Sequence, residues 1–281
     1  MANRFTNSLL FLLAFSLLAA SVSAMYLNVE APISTTLQNN DVVSLGKVGP
    51  GESFYVLASP ATTNQSGFMV SLGWDQFIAV SLPTGWTSQP SPLYENPMKM
   101  KITVAPNAEN GTYWMVLRAV NSGNYSKLGN LTFKAYINVT PDVFTSSVSP
   151  LNISAGVGQP TNLQVVINNI GASDDPFMIN AYGLPAWNMP TEVIASHYRT
   201  NTYIYPVFEN EPGVYLFNLT INSTTSPLIH QTYPIMLTTH ASLFNDFSAT
   251  GQGVVLSPII YEPAYAVMLL LNDIYRAIVS R

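Results

Sequence analysis

Short runs of apolar and β-branched residues recur through the middle of the chain, separated by clusters of Pro, Gly and Asn. Residues 53–57, 77–80 and 99–104 are three such runs. Before residue 260, no long stretch places apolar residues at the three- and four-residue steps of an amphipathic helix. Strands that are not separated by helices exclude βαβ units and favour an antiparallel sandwich or barrel.

Two sequence markers recur in this middle region with the same spacing. Leu82-Pro83 and Leu184-Pro185 lie 102 positions apart, and each is followed closely by a tryptophan. Gly111-Thr112-Tyr113 and Gly213-Val214-Tyr215 also lie 102 positions apart, and each begins a run with alternating apolar and polar residues. A period of about 100 residues matches one immunoglobulin-like domain.

The sequence therefore predicts an all-β chain of two tandem immunoglobulin-like antiparallel β-sandwiches. We expect the first over residues 25–141 and the second over residues 142–250. Residues 141–150 are rich in Ser, Thr and Pro, and this composition predicts a link between the two.

The first 24 residues have the pattern of a secretory signal peptide. Arg4 supplies positive charge, residues 9–20 are apolar, and Val22-Ser23-Ala24 offers the small side chains that a signal peptidase requires. The alternative is an uncleaved membrane anchor, although an apolar run of about 12 residues is short for a hydrocarbon core of about 30 Å. The pattern predicts export.

Residues 251–281 differ from the rest of the chain, because they predict a helix with one apolar face. Its stripe consists of Ala264, Val267, Met268, Leu271, Ile274, Tyr275 and Ile278. Three interpretations stay open: an amphipathic helix on a membrane surface or partner, a membrane span, or a helix packed on the protein's own sandwich. Two prolines, Glu262 and Asp273 interrupt or close the window that a span would need.

Composition and charge remove several function classes. Ten Lys+Arg against 15 Asp+Glu provide no basic surface, which excludes nucleic acid as a partner. The absence of cysteine excludes disulfides, a thiolate nucleophile and a thiolate metal site. Eight Asn-x-Ser/Thr triplets fit an exported glycoprotein. Their asparagines are Asn64, Asn110, Asn124, Asn130, Asn138, Asn152, Asn218 and Asn222.

Candidate catalytic and metal-binding groups are scattered. The three histidines lack the spacing that places two imidazoles on one helical turn, and no Gly-x-Ser-x-Gly elbow is present. Asp174-Asp175 and the pair Glu209 and Glu211 lie beside turn residues, and solvated acidic turns explain them better than calcium loops. The sequence predicts no catalytic residue, no metal ligand and no cofactor.

Aromatic residues provide the strongest alternative chemistry, since flat rings stack on apolar sugar faces. Tyr203 and Tyr205 are two residues apart, so both rings share one face of a strand. An exposed pair would bind carbohydrate, and a buried pair would belong to the core. Trp86 and Trp187 occupy equivalent repeat positions, which is typical of core tryptophans.

Several of these segments together resemble a known family. Residues 50–53 (Pro-Gly-Glu-Ser), 82–86 (Leu-Pro-Thr-Gly-Trp), 102–106 and 110–113 look like the NEW3-type immunoglobulin-like modules of archaea and bacteria. The resemblance covers residues 26–141, with Ala105 where the family often has Val, and it is weaker in the second copy, which lacks the glycine before Trp187. It implies an extracytoplasmic accessory module without catalytic residues.

These observations lead to one expectation and two alternatives. We expect an exported, surface-attached structural or adhesive protein, a spacer or interaction module on a prokaryotic, archaeal envelope, without enzymatic activity. Its expected partners are envelope proteins or glycans, and the membrane surface through the C-terminal helix. The alternatives are a carbohydrate-binding accessory module with exposed aromatics, and a secreted hydrolase.

Overall fold

A computed structural model describes residues 25–123, 129–185 and 188–241. Within these residues the regular elements are strands, and no helix is long and apolar enough to cross a membrane. The predicted signal peptide (residues 1–24) and C-terminal helix (residues 251–281) lie outside the described residues.

The first ten strands form a unit that we call the N-terminal unit. Its strands are β1 (Tyr26–Ala31), β2 (Thr35–Leu37), β3 (Val42–Val48), β4 (Ser53–Thr63), β5 (Met69–Leu72), β6 (Gln76–Ser81), β7 (Thr87–Gln89), β8 (Met98–Thr103), β9 (Gly111–Val120) and β10 (Leu131–Val139). One sheet has the order β2-β1-β4-β8-β7, with β5 added to β4, and the other has the order β3-β10-β9-β6. The pairing of β3 with β10 is parallel, and the other pairings are antiparallel.

The remaining strands form the C-terminal unit. They are β11 (Phe144–Ser149), β12 (Asn152–Gly156), β13 (Thr161–Asn169), β14 (Asp175–Tyr182), β15 (Thr191–Ala195), β16 (Arg199–Val207), β17 (Gly213–Ser223) and β18 (His230–His240). Their sheets have the orders β11-β13-β16 and β12-β18-β17-β14-β15, and β12 pairs with β18 in parallel.

The strand orders identify the architecture. In the N-terminal unit, β1, β4, β8 and β7 correspond to strands A, B, E and D of an immunoglobulin sandwich. In the other sheet, β6, β9 and β10 correspond to strands C, F and G. The C-terminal unit repeats the A-B-E sheet and the G-F-C sheet, with β15 added beside β14. The prediction of an all-β chain with immunoglobulin-like sandwiches is thus confirmed for the described residues.

Each unit buries its own apolar core between its two sheets. In β9, alternate residues such as Met115 and Leu117 point inward, and in β17 Phe217 and Leu219 do the same. Full burial of such a side chain stabilises the fold by about 1.5–3 kcal/mol. The two cores are separate clusters, although Ala172 of the C-terminal unit packs into the core of the N-terminal unit.

The recurrence of Gly-x-Tyr has a structural counterpart. The Tyr113 hydroxyl donates to the carbonyl of Glu109 (3.0 Å), and the Tyr215 hydroxyl donates to the carbonyl of Glu211 (3.1 Å). Each tyrosine therefore ties the start of a strand to the residue four positions earlier, as in the tyrosine corner of immunoglobulin-like domains.

The interpretation of residues 141–150 as a link is wrong. Residues 141–150 are not a link over most of their length, because residues 144–149 form β11 and pair with β13. The connection is short: residues 140–143 lie between β10 and β11, and the Thr140 N–H donates to the carbonyl of Val48. The polar residues of this stretch alternate with buried Phe144 and Val148, so composition alone concealed the strand.

Candidate functional surfaces and the junction between the units

The two units meet at a junction built from turns of both. The Ala172 N–H donates to the carbonyl of Lys47 (2.7 Å), and the Ser173 hydroxyl donates to the carbonyl of Ser53 (2.7 Å). The Tyr198 hydroxyl points to the carbonyl of Leu45 (3.4 Å). These bonds join residues that are more than 100 positions apart, and they fix the turn before β14 and the turn between β15 and β16 against β3 and the start of β4.

Two glycines allow this close approach. Gly46 has a φ of +91°, and a Cβ there would collide with the Tyr198 hydroxyl. A Cβ on Gly49 would collide with the side chain of Ile229. Tyr198 itself has a φ of +52°, which is uncommon for a residue other than glycine and costs energy unless the surroundings hold it.

A pair of carboxyl groups lies buried at the centre of the junction. Glu52 follows the β3–β4 turn, Asp175 begins β14, and each is 1% exposed. Glu52 Oε2 accepts a hydrogen bond from the N–H of Gly49 (2.6 Å). Asp175 Oδ1 accepts hydrogen bonds from the hydroxyls of Ser223 and Thr225, both at 2.8 Å. The remaining oxygens, Glu52 Oε1 and Asp175 Oδ2, are buried without a hydrogen-bond donor.

The electrostatics of this pair follow from its burial. Burial, and then the negative charge of Asp175, raise the pKa of Glu52 to about 8. Burial also raises the pKa of Asp175, although the bonds from Ser223 and Thr225 oppose that shift. The interpretation of Asp175 as part of a solvated turn is therefore wrong, because Asp175 is buried and interacts with Glu52 of the neighbouring unit as well as with Ser223 and Thr225 of its own.

Asp174, the neighbour of Asp175, has the opposite character. It is exposed, and its Oδ1 lies 2.6 Å from Nδ1 of His197 and accepts a hydrogen bond from the His197 N–H. Burial alone would raise its pKa, but the bonds from His197 and the charges of His197 and Lys99 outweigh that effect and lower it. Asp174 thus forms an ion pair at the rim of the junction.

The second acidic pair also divides between the interior and the surface. Glu209 is 3% exposed, whereas Glu211 is exposed. Burial raises the pKa of Glu209 to about 7, with a smaller contribution from the charge of Glu211, while the N–H of Asn210 opposes the shift. Its Oε1 lacks a donor. The interpretation of this pair as solvated is wrong for Glu209.

An aromatic pair lies on the outer face of the N-terminal unit. Trp114 on β9 and Tyr136 on β10 are register partners, with ring centroids 5.0 Å apart, and Trp114 is 55% exposed. A polar register pair flanks the rings on one side, where the Thr112 hydroxyl donates to Asn138 Oδ1 (2.8 Å). We call Trp114 and Tyr136 the aromatic platform. The alternation of residues in β9 is the sequence signal for an outward-facing Trp114, since it places Trp114 on the face of the strand opposite to that of Met115 and Leu117.

The tyrosines that the sequence singled out have different surroundings. Tyr205 is 1% exposed, and its hydroxyl donates to the carbonyl of Met189 (3.1 Å). Tyr203 is half-buried, and its hydroxyl donates to the carbonyl of Ile194. A buried Tyr205 offers no ring face to a sugar, so this pair is core. Trp86 is also buried and packs 5.4 Å from Tyr113, and Trp187 lies outside the described residues.

The candidate glycosylation sites are accessible wherever the structure describes them. The exposed asparagines are Asn110, Asn130, Asn138, Asn152 and Asn218, and the half-buried ones are Asn64 and Asn222. Asn124 lies outside the described residues. Four of the asparagines lie within strands with their side chains on outer faces, and none is buried in the core. These positions permit glycan attachment, which remains a prediction.

Across residues 25–123, 129–185 and 188–241, no group of three or more His, Asp or Glu side chains is placed to hold a metal ion. The residues predicted for the membrane- or partner-facing helix (Ala264, Val267, Met268, Leu271, Ile274, Tyr275 and Ile278) lie outside the described residues.

Comparison with known proteins gives structural neighbours only. No protein-family model matches the chain, and no curated protein sequence matches it. A chimeric titin Z1Z2 structure has 12% identity and a TM-score of 0.34, covering 79% of this chain and 100% of that one. The fibronectin(III)-like modules of Clostridium thermocellum CbhA have 11% identity and a TM-score of 0.26, covering 76% and 93%.

A β-glucosidase from Listeria innocua also matches, with 14% identity and a TM-score of 0.26. That match covers 34% of this chain, and this chain spans only 16% of the glucosidase. Because all of these TM-scores are low, the immunoglobulin-like assignment depends on the strand orders within the two units.

Proposed function

We propose that this protein is an exported structural or adhesive module that is attached to a prokaryotic, archaeal cell surface and acts as a spacer without catalysis. The observation that carries the proposal is the junction. A spacer must hold its two units in a fixed arrangement, and here hydrogen bonds to the carbonyls of Leu45, Lys47 and Ser53, with two close-packed glycines, join the units directly.

The composition and the accessible sequons support this proposal. Only 9% of the residues are charged, so ionised side chains provide little of the surface hydration. Glycans on exposed asparagines such as Asn110 and Asn218 would provide it instead. The resemblance of residues 26–141 to NEW3-type modules agrees with an extracytoplasmic location.

Fractionation of tagged protein from the source cells tests the proposal. We expect the full chain to remain with the cell surface and to be digested when intact cells are treated with protease. A matched chain that ends at residue 250 should be released into the medium, because it lacks the predicted amphipathic segment. Carbonate extraction of the full chain then separates a surface-bound helix from a spanning one.

Two results would contradict the proposal. Recovery of the full chain wholly in the medium, without detergent or partner, contradicts attachment. Protection from protease in intact cells contradicts export.

A second candidate function is carbohydrate binding, and the aromatic platform favours it. The exposed Trp114 ring and the neighbouring Tyr136 ring, whose planes are tilted by 44° to each other, present an aromatic surface with Thr112 and Asn138 at its edge. On a glycan array we expect Trp114→Ala to abolish binding. Tyr203→Ala is the matched control, because Tyr203 lies away from the platform. Retention of binding in Trp114→Ala would exclude this site. Asn138→Gln removes the sequon beside the platform, so stronger binding in that variant would show that a glycan on Asn138 covers the rings.

A further inference from the structure

The buried pair Glu52–Asp175 presents an unusual problem of charge. The two carboxyl groups come from different units, each is 1% exposed, and they interact with each other through their charges and a side-chain hydrogen bond. Two ionised carboxylates cannot be neighbours in such a site without a counter-charge, because burial and mutual repulsion both oppose ionisation. A single proton between them removes one charge and supplies the missing donor.

The hydrogen bonds show which oxygens would share that proton. The outer oxygen of each group is already satisfied, Glu52 Oε2 by the N–H of Gly49 and Asp175 Oδ1 by the hydroxyls of Ser223 and Thr225. The inner oxygens, Glu52 Oε1 and Asp175 Oδ2, are buried and lack a donor. Each unit thus contributes one unsatisfied acceptor to the junction.

We propose that Glu52 and Asp175 share one proton across the junction, and that this proton latches the two units into a fixed orientation. Loss of the proton leaves two buried charges that repel each other, and separation of the units is the movement that restores water to both. The latch therefore closes in acid and opens in alkali. Burial and the charge of Asp175 raise the pKa of Glu52 to about 8, so the latch should open as the pH rises through about 8.

The other charged groups around the pair do not replace the proton. The loop of residues 224–229 contains no ionisable side chain, and Glu52 is the only one in the turn of residues 49–52. Asp174 is paired with His197 at the rim, and the charge of Lys99 also lowers the pKa of Asp174. Lys47 is exposed and contacts Ala172 through its carbonyl, and burial raises the pKa of Tyr198, which keeps that hydroxyl neutral.

The orientation of the units can be followed by fluorescence energy transfer in the full chain. The protein contains no cysteine, so Lys134→Cys and Glu192→Cys introduce one label on an exposed position of each unit. We expect one narrow transfer distribution at about pH 5, and a broader or shifted one as the pH rises through about 8. The infrared band of a protonated carboxyl group should disappear over the same interval.

Three variants test the assignment of the proton. In Glu52→Gln the amide N–H₂ takes the place of Oε1 and donates to Asp175, and in Asp175→Asn the amide donates to Glu52. Each single variant should hold the narrow distribution up to about pH 10. In the double variant two N–H₂ groups face each other without an acceptor, so the distribution should be broad even at about pH 5. Asp174→Asn, which alters the exposed neighbour, should leave the wild-type transition in place.

Several outcomes would overturn the proposal. A wild-type distribution that does not change between about pH 5 and pH 10 shows that no proton controls the junction. Opening of Glu52→Gln at about pH 5, in protein that circular dichroism shows to be folded, excludes the shared proton. Opening of the wild type by EDTA at about pH 5, reversed by Ca²⁺, assigns the site to a cation instead. None of these results depends on cell-surface attachment, which fractionation tests separately.

Discussion

The outer faces of the two units differ at the same position of the repeat. In the N-terminal unit, Trp114 on β9 faces Tyr136 on β10, and in the C-terminal unit Leu216 on β17 faces Met236 on β18. Trp114 and Leu216 are 102 positions apart, the period of the repeat. One unit therefore presents an aromatic pair to solvent where the other presents an aliphatic pair, and Leu216 is 76% exposed.

The inward residues of the same strands differ much less. Leu117 and Leu219 are equivalent and fully buried, and the equivalent Tyr113 and Tyr215 make the same hydrogen bond to a carbonyl four residues earlier. Packing restricts which side chains fit between the sheets, whereas the outer face is free to change as long as it remains soluble. Divergence on the outer face thus indicates where the two units differ in what they contact.

The largest effect on stability is expected at Leu117 and Leu219, the equivalent buried residues of β9 and β17. Leu117→Ala and Leu219→Ala each remove a fully buried side chain and leave a cavity, so each should lower the free energy of unfolding by about 2–5 kcal/mol. Denaturant unfolding of the full chain measures this. Val214→Ala, at a position 64% exposed, is the control and should change stability by about 0.5 kcal/mol or less. A loss of stability in only one of the two leucine variants would contradict equivalent packing of Leu117 and Leu219 in their units.

Each unit also buries one glutamate, Glu52 in the N-terminal unit and Glu209 in the C-terminal unit. The second-largest effect is expected on how the free energy of unfolding depends on pH, because the pKa values of the two glutamates differ. Burial raises the pKa of Glu209 from 4.5 to about 7, so the folded chain binds more protons than the unfolded chain within that interval. The free energy of unfolding should therefore fall as the pH rises from about 4.5 to 7. For Glu52 the corresponding decline extends to about pH 8.

Variants separate the two contributions in thermal unfolding at several pH values. Glu209→Gln should make the decline between about pH 4.5 and 7 shallower and leave the part that Glu52 contributes, which extends to about pH 8. Glu211→Gln alters an exposed neighbour and should change little. If Glu209→Gln leaves the dependence unchanged, the pKa of Glu209 is not raised in the folded protein.

The tyrosine corners should give smaller and equal effects. Tyr113→Phe and Tyr215→Phe keep the ring and remove only the hydrogen bonds to Glu109 and Glu211, so each should cost about 0.5–1.5 kcal/mol. Tyr182→Phe, at a residue 55% exposed, is the control. Clearly unequal costs, measured by chemical unfolding, would show that the corners do not have the same role in the two units.

Much of the fold followed from local patterns in the sequence. The runs at residues 53–57, 77–80 and 99–104 contribute to β4, β6 and β8, because alternation and turn residues specify strands over short distances. The spacing between Tyr113 and Tyr215 revealed the duplication. Residues 144–149 were missed as a strand, since their polar side chains conceal the two buried apolar positions.

The junction could not be predicted in the same way. Glu52 and Asp175 are far apart in the sequence and share no spacing rule, and each lies next to turn residues that ordinarily face solvent. Their burial results from how one unit packs on the other, through Gly49 and Ile229 among others. Alternation in β9 does predict that Trp114 faces outward, but its partner Tyr136 is known only from the register of β10.

The smallest effect concerns the outer pairs themselves. A double-mutant cycle with Trp114→Ala and Tyr136→Ala should give a coupling of about 0.5 kcal/mol, at the low end for aromatic pairs because the rings are partly solvated. The equivalent cycle with Leu216→Ala and Met236→Ala should give a coupling near zero, since Leu216 is 76% exposed and withdraws little surface from water. Equal couplings in the two cycles would mean that the aromatic pair contributes nothing beyond what any exposed apolar pair does. The difference between Trp114 and Leu216 would then carry no information about what the N-terminal unit binds.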